Sequence, residues 1–340
     1  MKSKRTIPLG SLIFYFLVII LIIIAFRRFS EIERVTRLFR EARPAMLALA
    51  IGAQILTYLA TAYIYYELLD IYKQKKAVKK GELFRASVVS LFLTQAVPTA
   101  GVSGNTFIIY FLNNKRVPMK QSVSIITLEL FTYYAAHILL LFFVFLYFVF
   151  FLNWAVNGLL LAIGLVGAGL FLLISVLIVF FGSKRFLFFL RKARKFRSVS
   201  WILNKIKMGP LFRGSSEAGW ESPLEILKNK REFLFWPLVW QIAILLLDAV
   251  TILFLFIGFN FHVPFSYIVL VLLLTKIISL VSVLPGALVF FEGSMVLFFS
   301  FFSVPLDLAV IITLLFRALS FWLPMPFGLY FYRRTHLEMK

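Results

Sequence analysis

The chain has no cysteine among its 340 residues, which excludes disulfides, thiolate metal sites and cysteine nucleophiles. Acid is also scarce: 15 Asp and Glu stand against 36 Lys and Arg, leaving a formal net charge of +21. The histidines, His137, His262 and His336, are too scattered for metal-ligand spacing. No serine–histidine–acid set, H-E-x-x-H helix, phosphate loop or acidic cluster for Mg²⁺ occurs. No cofactor and no catalytic constellation is therefore expected, and the reading leans away from an enzyme.

In place of charge the chain carries apolar surface. Hydrophobic residues make up 61%, phenylalanine alone supplies 41, and the mean hydropathy is +0.94. A soluble core of this size cannot bury so much, so lipid is the solvent for most of the chain. The basic residues fall between the apolar runs, where anionic headgroups and the positive-inside bias account for them and nucleic acid is not needed.

A spanning helix needs about 20 apolar residues. Such runs occur at 10–26, 44–66, 121–152, 155–181, 235–257, 265–284 and 308–332. The start, Met1 to Arg5, resembles a signal peptide, but the run after it is too long and lacks a cleavage site, so it reads as a retained span. Lys73 to Lys80, Asn113 to Lys120, Lys184 to Glu232 and Arg333-Arg334 are basic and read as cytoplasmic. Asn153 to Asn157 and Gly258 to Pro264 carry no Lys, Arg, Asp or Glu and read as external. Segment 83–112 then begins and ends inside although it is broken at Pro98 to Gly104. Segment 265–302 begins and ends outside, broken at Leu284-Pro285-Gly286.

The expected fold is thus an all-α polytopic membrane protein with about six full spans and two opposed re-entrant hairpins. Kinked spans, eight or nine in all, are the alternative. The whole chain, 1–340, reads as one membrane domain of the cytoplasmic (inner) membrane with both termini cytoplasmic. Residues 184–232 form a basic connector with an amphipathic surface helix. The arginine-rich stretch 27–43 should be external and fits that scheme poorly.

Ionisable residues inside apolar runs are costly and mark candidate sites. They are Glu129, His137, Asp248, Lys276, Glu292 and Arg317, with Glu67 and Asp70 nearer an interface. Glu129 and His137 fall near one helix face. Glu292 and Arg317 suit an ion pair, or a lipid phosphate at Arg317 with Glu292 holding it; Lys276 suits a pair with Asp248 or snorkels to the interface. Gly101, Gly104 and Gly286, beside Pro98, Asn105 and Pro285, permit unusual backbone at the two breaks and free N–H groups for an anion. These residues, apart from Asp248, Lys276, Glu67 and Asp70, form the expected substrate-binding set.

The block Leu284-Pro285-Gly286-Ala287-Leu288-Val289-Phe290-Phe291-Glu292-Gly293, then Val304-Pro305-Leu306-Asp307 and Leu314 to Arg317 with Phe321-Trp322-Leu323-Pro324 and Gly328, resembles a known C-terminal signature. It is similar to that of the lysylphosphatidylglycerol synthase transmembrane-region family. Pro98 to Gly104 with Leu128-Glu129 resembles the family's first half. The family pattern runs L-P-G-G-x-G-x-x-E, and here Ala287 and Val289 stand at two of the glycines. The resemblance implies a membrane region that moves lipids between leaflets, without the aminoacyl transferase or glycosyltransferase domain of larger relatives.

The leading expectation is a flippase-like lipid translocator whose partners are membrane lipids with anionic headgroups at the cytoplasmic face, with a homo-oligomer open. An accessory or embedded component of a lipid-modifying transferase and an ion-coupled solute transporter are the other readings.

Overall fold

In lipid every backbone amide must find its partner within the protein, so long apolar runs become helices. The computed structural model describes residues 43–97, 102–151, 158–181, 221–280 and 287–338. The run at 10–26, residues 27–42, most of the 184–232 connector, and the breaks holding Pro98, Gly101, Pro285 and Gly286 lie outside the described residues. The helices are α1 (Pro44–Ile71), α2 (Lys80–Ala96), α3 (Val102–Asn114), α4 (Met119–Phe151), α5 (Gly158–Phe181) and α6 (Pro223–Asn229). They continue with α7 (Phe235–Gly258), α8 (Phe265–Leu280), α9 (Phe290–Phe301), α10 (Leu306–Arg317) and α11 (Pro324–Glu338), the last two joined by a π-helical turn at Ala318–Trp322.

Five described segments are long and apolar enough to cross a bilayer: Pro44–Ile71, Met119–Phe151, Gly158–Phe180, Arg231–Gly258 and Leu306–Arg334. The chain is therefore a multi-pass helical membrane protein. The connector's described end, α6, carries a capping box between Ser222 and Glu225.

α1 and α7 pack antiparallel along their lengths. The Arg43 N–H donates to the Gly258 carbonyl at 2.9 Å at one end, and the Tyr72 hydroxyl donates to the Glu221 carbonyl at 2.8 Å at the other. The second end is the basic one. There Lys75 Nζ lies 3.1 Å from both Glu67 Oε2 and Asp70 Oδ2. Partial burial opposes its charge, but the two carboxylates outweigh that and raise the ammonium pKa above its ordinary value.

Two helix pairs interrupt the long spans. α2 and α3 pack on each other, and Lys115 Nζ meets Glu82 Oε1 at 2.6 Å where the pair begins and ends. Both of its ends thus lie at the basic end of the bundle. α8 and α9 also pack together, with the Tyr267 and Phe302 rings stacked at 4.5 Å, next to the Gly258 end. The two pairs begin and end at opposite ends of the bundle. At 1.5 Å per residue their arms are roughly 18–25 Å long, short of the ~30 Å hydrocarbon core.

Four helices stop in the same way without a glycine. Lys73, Arg116, Asn260 and Ser303 take positive φ of 56°, 65°, 54° and 60°. The next N–H then reaches back five residues, as from Val117 to Leu112 at 3.1 Å and from Val304 to Phe299 at 3.2 Å. This is the Schellman cap; Val117 and Val304, just beyond it, are buried.

Packing separates into two apolar clusters. One gathers Ile64, Leu68, Leu83, Val89, Ile108 and Leu128 around the first hairpin at the basic end. The other gathers Phe148, Leu245, Phe256, Leu272, Met295 and Phe299 around the second hairpin. α1, α4 and α7 run through both.

Candidate functional site

A polar layer lies between the two clusters. It surrounds a cavity of about 440 Å³ lined by α1, α2, α3, α4, α7, α8, α9, α10 and the π turn. Both hairpins contribute to it: Ser87, Ser90, Thr94 and Asn105 from the first, Lys276, Leu280 and Phe291 from the second. Polar groups in a protein interior are tolerated only with partners, and most here have them.

Arg317 Nε donates to Glu292 Oε1 at 2.7 Å, so the expected pair between α9 and the last span exists. Its guanidinium carbon sits 4.7 Å over the Phe291 ring and 4.4 Å over that of Phe321, contacts that hold the plane in place. Lys276 Nζ meets Asp248 Oδ2 at 3.1 Å, which is the second expected pair, and Gln54 Nε2 donates to Asp248 Oδ1 at 3.4 Å. Glu129 differs. Gln241 Nε2 donates to its Oε1 at 3.2 Å, and no cation pairs with it among the described residues. Two further acceptors, Glu292 Oε2 and Gln54 Oε1, have no donor there. The site holds three carboxyl groups against two cations, with spare acceptors.

The π turn supplies part of the wall. It follows Arg317 directly, and its freed carbonyls are taken from outside the helix: the Tyr58 hydroxyl donates to the Leu319 oxygen and Gln95 Nε2 donates to the Ser320 oxygen at 3.2 Å. Such turns mark functional positions in helices more often than chance.

The expected set divides on this geometry. Glu129, Asn105 and Arg317 line the cavity, and Glu292 reaches it through Arg317. His137 is 1% exposed, does not line the cavity, and turns its Nδ1 to the Tyr133 carbonyl at 2.8 Å. Glu129 and His137 are thus not brought together. Gly104 is buried where α3 crosses α2 and serves their close approach. Pro98, Gly101, Pro285 and Gly286 lie outside the described residues. Glu67 and Asp70 pair with Lys75 at the basic end, away from the cavity.

Sequence reasoning missed Gln54, Gln241, Tyr58, Tyr65 and Tyr133. Each is an uncharged polar residue inside an apolar run, and nothing in the sequence separates it from the other polar and aromatic residues of its helix.

Just before α9 the backbone is strained. Ala287 has φ 55°, and Val289 has φ 73° with ψ −49°. A β-branched residue is disfavoured there, and a strained residue of this kind costs about 1–3 kcal/mol. These are the two positions at which glycine is absent from the motif. Val289→Gly is expected to raise the stability of the purified protein by about 1 kcal/mol, read as a higher thermal unfolding midpoint; an unchanged or lower midpoint would refute the strain.

The sequence profile described as Lysylphosphatidylglycerol synthase TM region matches residues 9–328. Over 86 residues the chain is 33% identical to a "UPF0104 membrane protein" of Methanothermobacter thermautotrophicus, covering 25% of this chain and 26% of that protein. The match thus spans only about a quarter of the relative's length. No solved structure matches the chain significantly. With a profile that runs through both hairpins and every lining helix of the cavity, the chain belongs to the lysylphosphatidylglycerol synthase TM region family.

Proposed function

We propose that the chain is a lipid translocator of the flippase-like kind, carrying a phospholipid headgroup between leaflets of the cytoplasmic membrane. The observation that supports this most directly is the polar cavity between two helix pairs that begin and end at opposite ends of the bundle. In this reading the pairs are re-entrant, and their short arms stop at mid-depth, where broken backbone is tolerated only beside protein or a watery cavity. The headgroup passes through the polar layer while its tails stay in lipid.

The chemistry of the lining narrows the headgroup. Arg317 and Lys276 offer donors to a phosphate, within reach of their own carboxylate partners. Glu129 and Gln54 line the cavity and bring acceptor oxygens for hydroxyl or ammonium groups. A headgroup with donors beyond its phosphate fits better than a bare phosphate. With the basic end cytoplasmic by the positive-inside rule, the first hairpin opens to the inner face and the second to the outer.

The test is transfer of fluorescent anionic and zwitterionic lipids in proteoliposomes. Glu129→Gln keeps the shape but replaces one acceptor oxygen by a donor, and a hydrogen bond lost to a charged headgroup is worth about 1.5–3 kcal/mol. Transfer is expected to fall about ten-fold or more. Parental rates in this variant, in folded protein, would remove Glu129 from the path. No transfer of any lipid by the parent would remove the translocator reading itself.

A further inference from the structure

A second concavity, of about 270 Å³, lies on the outside of the bundle where α1 meets the start of α2. Its walls are Leu59, Ala62, Tyr63, Tyr66 and Phe84, and Lys80 stands at its rim beside Gly81. It is separate from the polar cavity, because α1 turns Thr61 and Tyr65 to the cavity and Ala62 and Tyr66 to this groove.

The charges at the rim are unequal. Lys75 is neutralised by Glu67 and Asp70, and Lys115 by Glu82. Those three acids are thereby used, and Lys80 has no carboxylate partner among the described residues. Its ammonium rests 4.9 Å from the Tyr63 ring centroid and 4.7 Å from that of Tyr66. Cation–π contacts fix the group without neutralising it. Lys73, Lys76 and Lys79 of the same basic segment also lack a carboxylate partner among the described residues. Tyr63 is itself held from behind, stacked on Trp240 at 5.2 Å.

An apolar slot, tyrosines in its wall towards the basic end, and ammonium groups without a carboxylate partner among the described residues follow the order of a phospholipid from tail to headgroup. Tyrosine and tryptophan favour that depth, and lysine at the surface attracts anionic lipid. We propose that this groove is a binding site for an anionic phospholipid of the leaflet at the basic end, its acyl chain along Leu59, Ala62 and Phe84 and its phosphate at Lys80. The occupant sits outside the translocation cavity, so the site goes beyond the translocator reading and does not depend on it.

The experiment is native mass spectrometry of the delipidated full chain, titrated with phosphatidylglycerol or phosphatidylcholine. Phosphatidylglycerol is expected to bind more tightly. Lys80→Gln is expected to weaken it about five-fold, the worth of one lysine at a charged surface, and to leave phosphatidylcholine unchanged. Gly81→Leu, placed where an added Cβ meets open space, is expected to weaken both lipids by filling the slot without disturbing the fold. Equal affinity for the two lipids, or phosphatidylglycerol binding untouched by both variants, would overturn the proposal. Competition by inorganic phosphate alone, with no contribution from the acyl chain, would overturn it too. None of these outcomes depends on whether the protein transfers lipid.

Discussion

Arg317→Gln is expected to yield a protein that transfers no lipid and is less stable by about 3–5 kcal/mol, the usual penalty for breaking a buried pair from one side. Arg317 is 8% exposed and its Nε lies 2.7 Å from Glu292 Oε1. Removing the guanidinium leaves Glu292 without its cation, and one of its oxygens already lacks a donor among the described residues. The single variant does not separate a structural pair from a headgroup contact. The double variant Glu292→Gln, Arg317→Gln does. Removing both charges together is close to neutral for folding in many proteins, so its thermal midpoint is expected to return towards the parent value. If the pair is only a strut, transfer returns as well. On the translocator reading it does not, because no guanidinium is left to meet the phosphate.

The second large effect is expected at Gly104. A Cβ there would stand 2.2 Å from Thr94 Oγ1 and 2.4 Å from the Ser90 carbonyl oxygen. The carbonyl belongs to the α2 backbone and yields only if the helix moves. Gly104→Val is therefore expected to force the arms of the first hairpin apart and destabilise the protein by about 3 kcal/mol or more, the upper range for overpacking. Gly293→Val provides the comparison, because an added Cβ there meets nothing within 4 Å; its effect should stay within about 0.5 kcal/mol. Intrinsic-fluorescence melts of the two variants in detergent measure both. Equal midpoints would mean that the arms are not packed as closely as the contact requires. Asn105 lines the cavity from the next position, so a displaced α3 should also carry it out of the site and slow transfer.

Much of the architecture was legible because it rests on a single strong signal, the length of uninterrupted apolar sequence. The runs at 44–66, 235–257 and 308–332 lie within spans of the structure, and the spans Met119–Phe151 and Gly158–Phe180 take up most of those at 121–152 and 155–181. The interrupted stretches became helix pairs with Pro98 and Pro285 between their arms. Charge supplied the pairing: with so few ionisable residues in apolar helices, Glu292 with Arg317 and Asp248 with Lys276 were natural partners.

What stayed hidden has physical reasons. The four Schellman caps use Lys73, Arg116, Asn260 and Ser303, so the usual glycine signal is absent. Glu129 and His137 share a helix face at a spacing of eight, yet the cavity lining on α4 stops at Tyr134, and His137 packs against Phe171 of the apolar cluster. The cavity's amides and tyrosines were invisible because one uncharged polar residue scarcely alters the hydropathy of a run. The motif shows only that glycine is absent at Ala287 and Val289; their positive φ shows that the backbone still takes the glycine conformation.

Two dry clusters with a polar pocket between them also have an electrical consequence. A cavity of about 440 Å³ with this lining is large and polar enough to hold water, and water is a far better dielectric than packed side chains. A voltage across the bilayer then falls mainly over the two clusters, and little of it falls within the pocket. Moving one elementary charge through the full potential is worth about 2.3 kcal/mol per 100 mV. For a charged headgroup that work is concentrated at the entry and exit steps, past the side chains around each hairpin. Glu129, Asp248, Lys276 and Arg317 sit at nearly one potential, and a change in membrane voltage leaves their balance almost untouched.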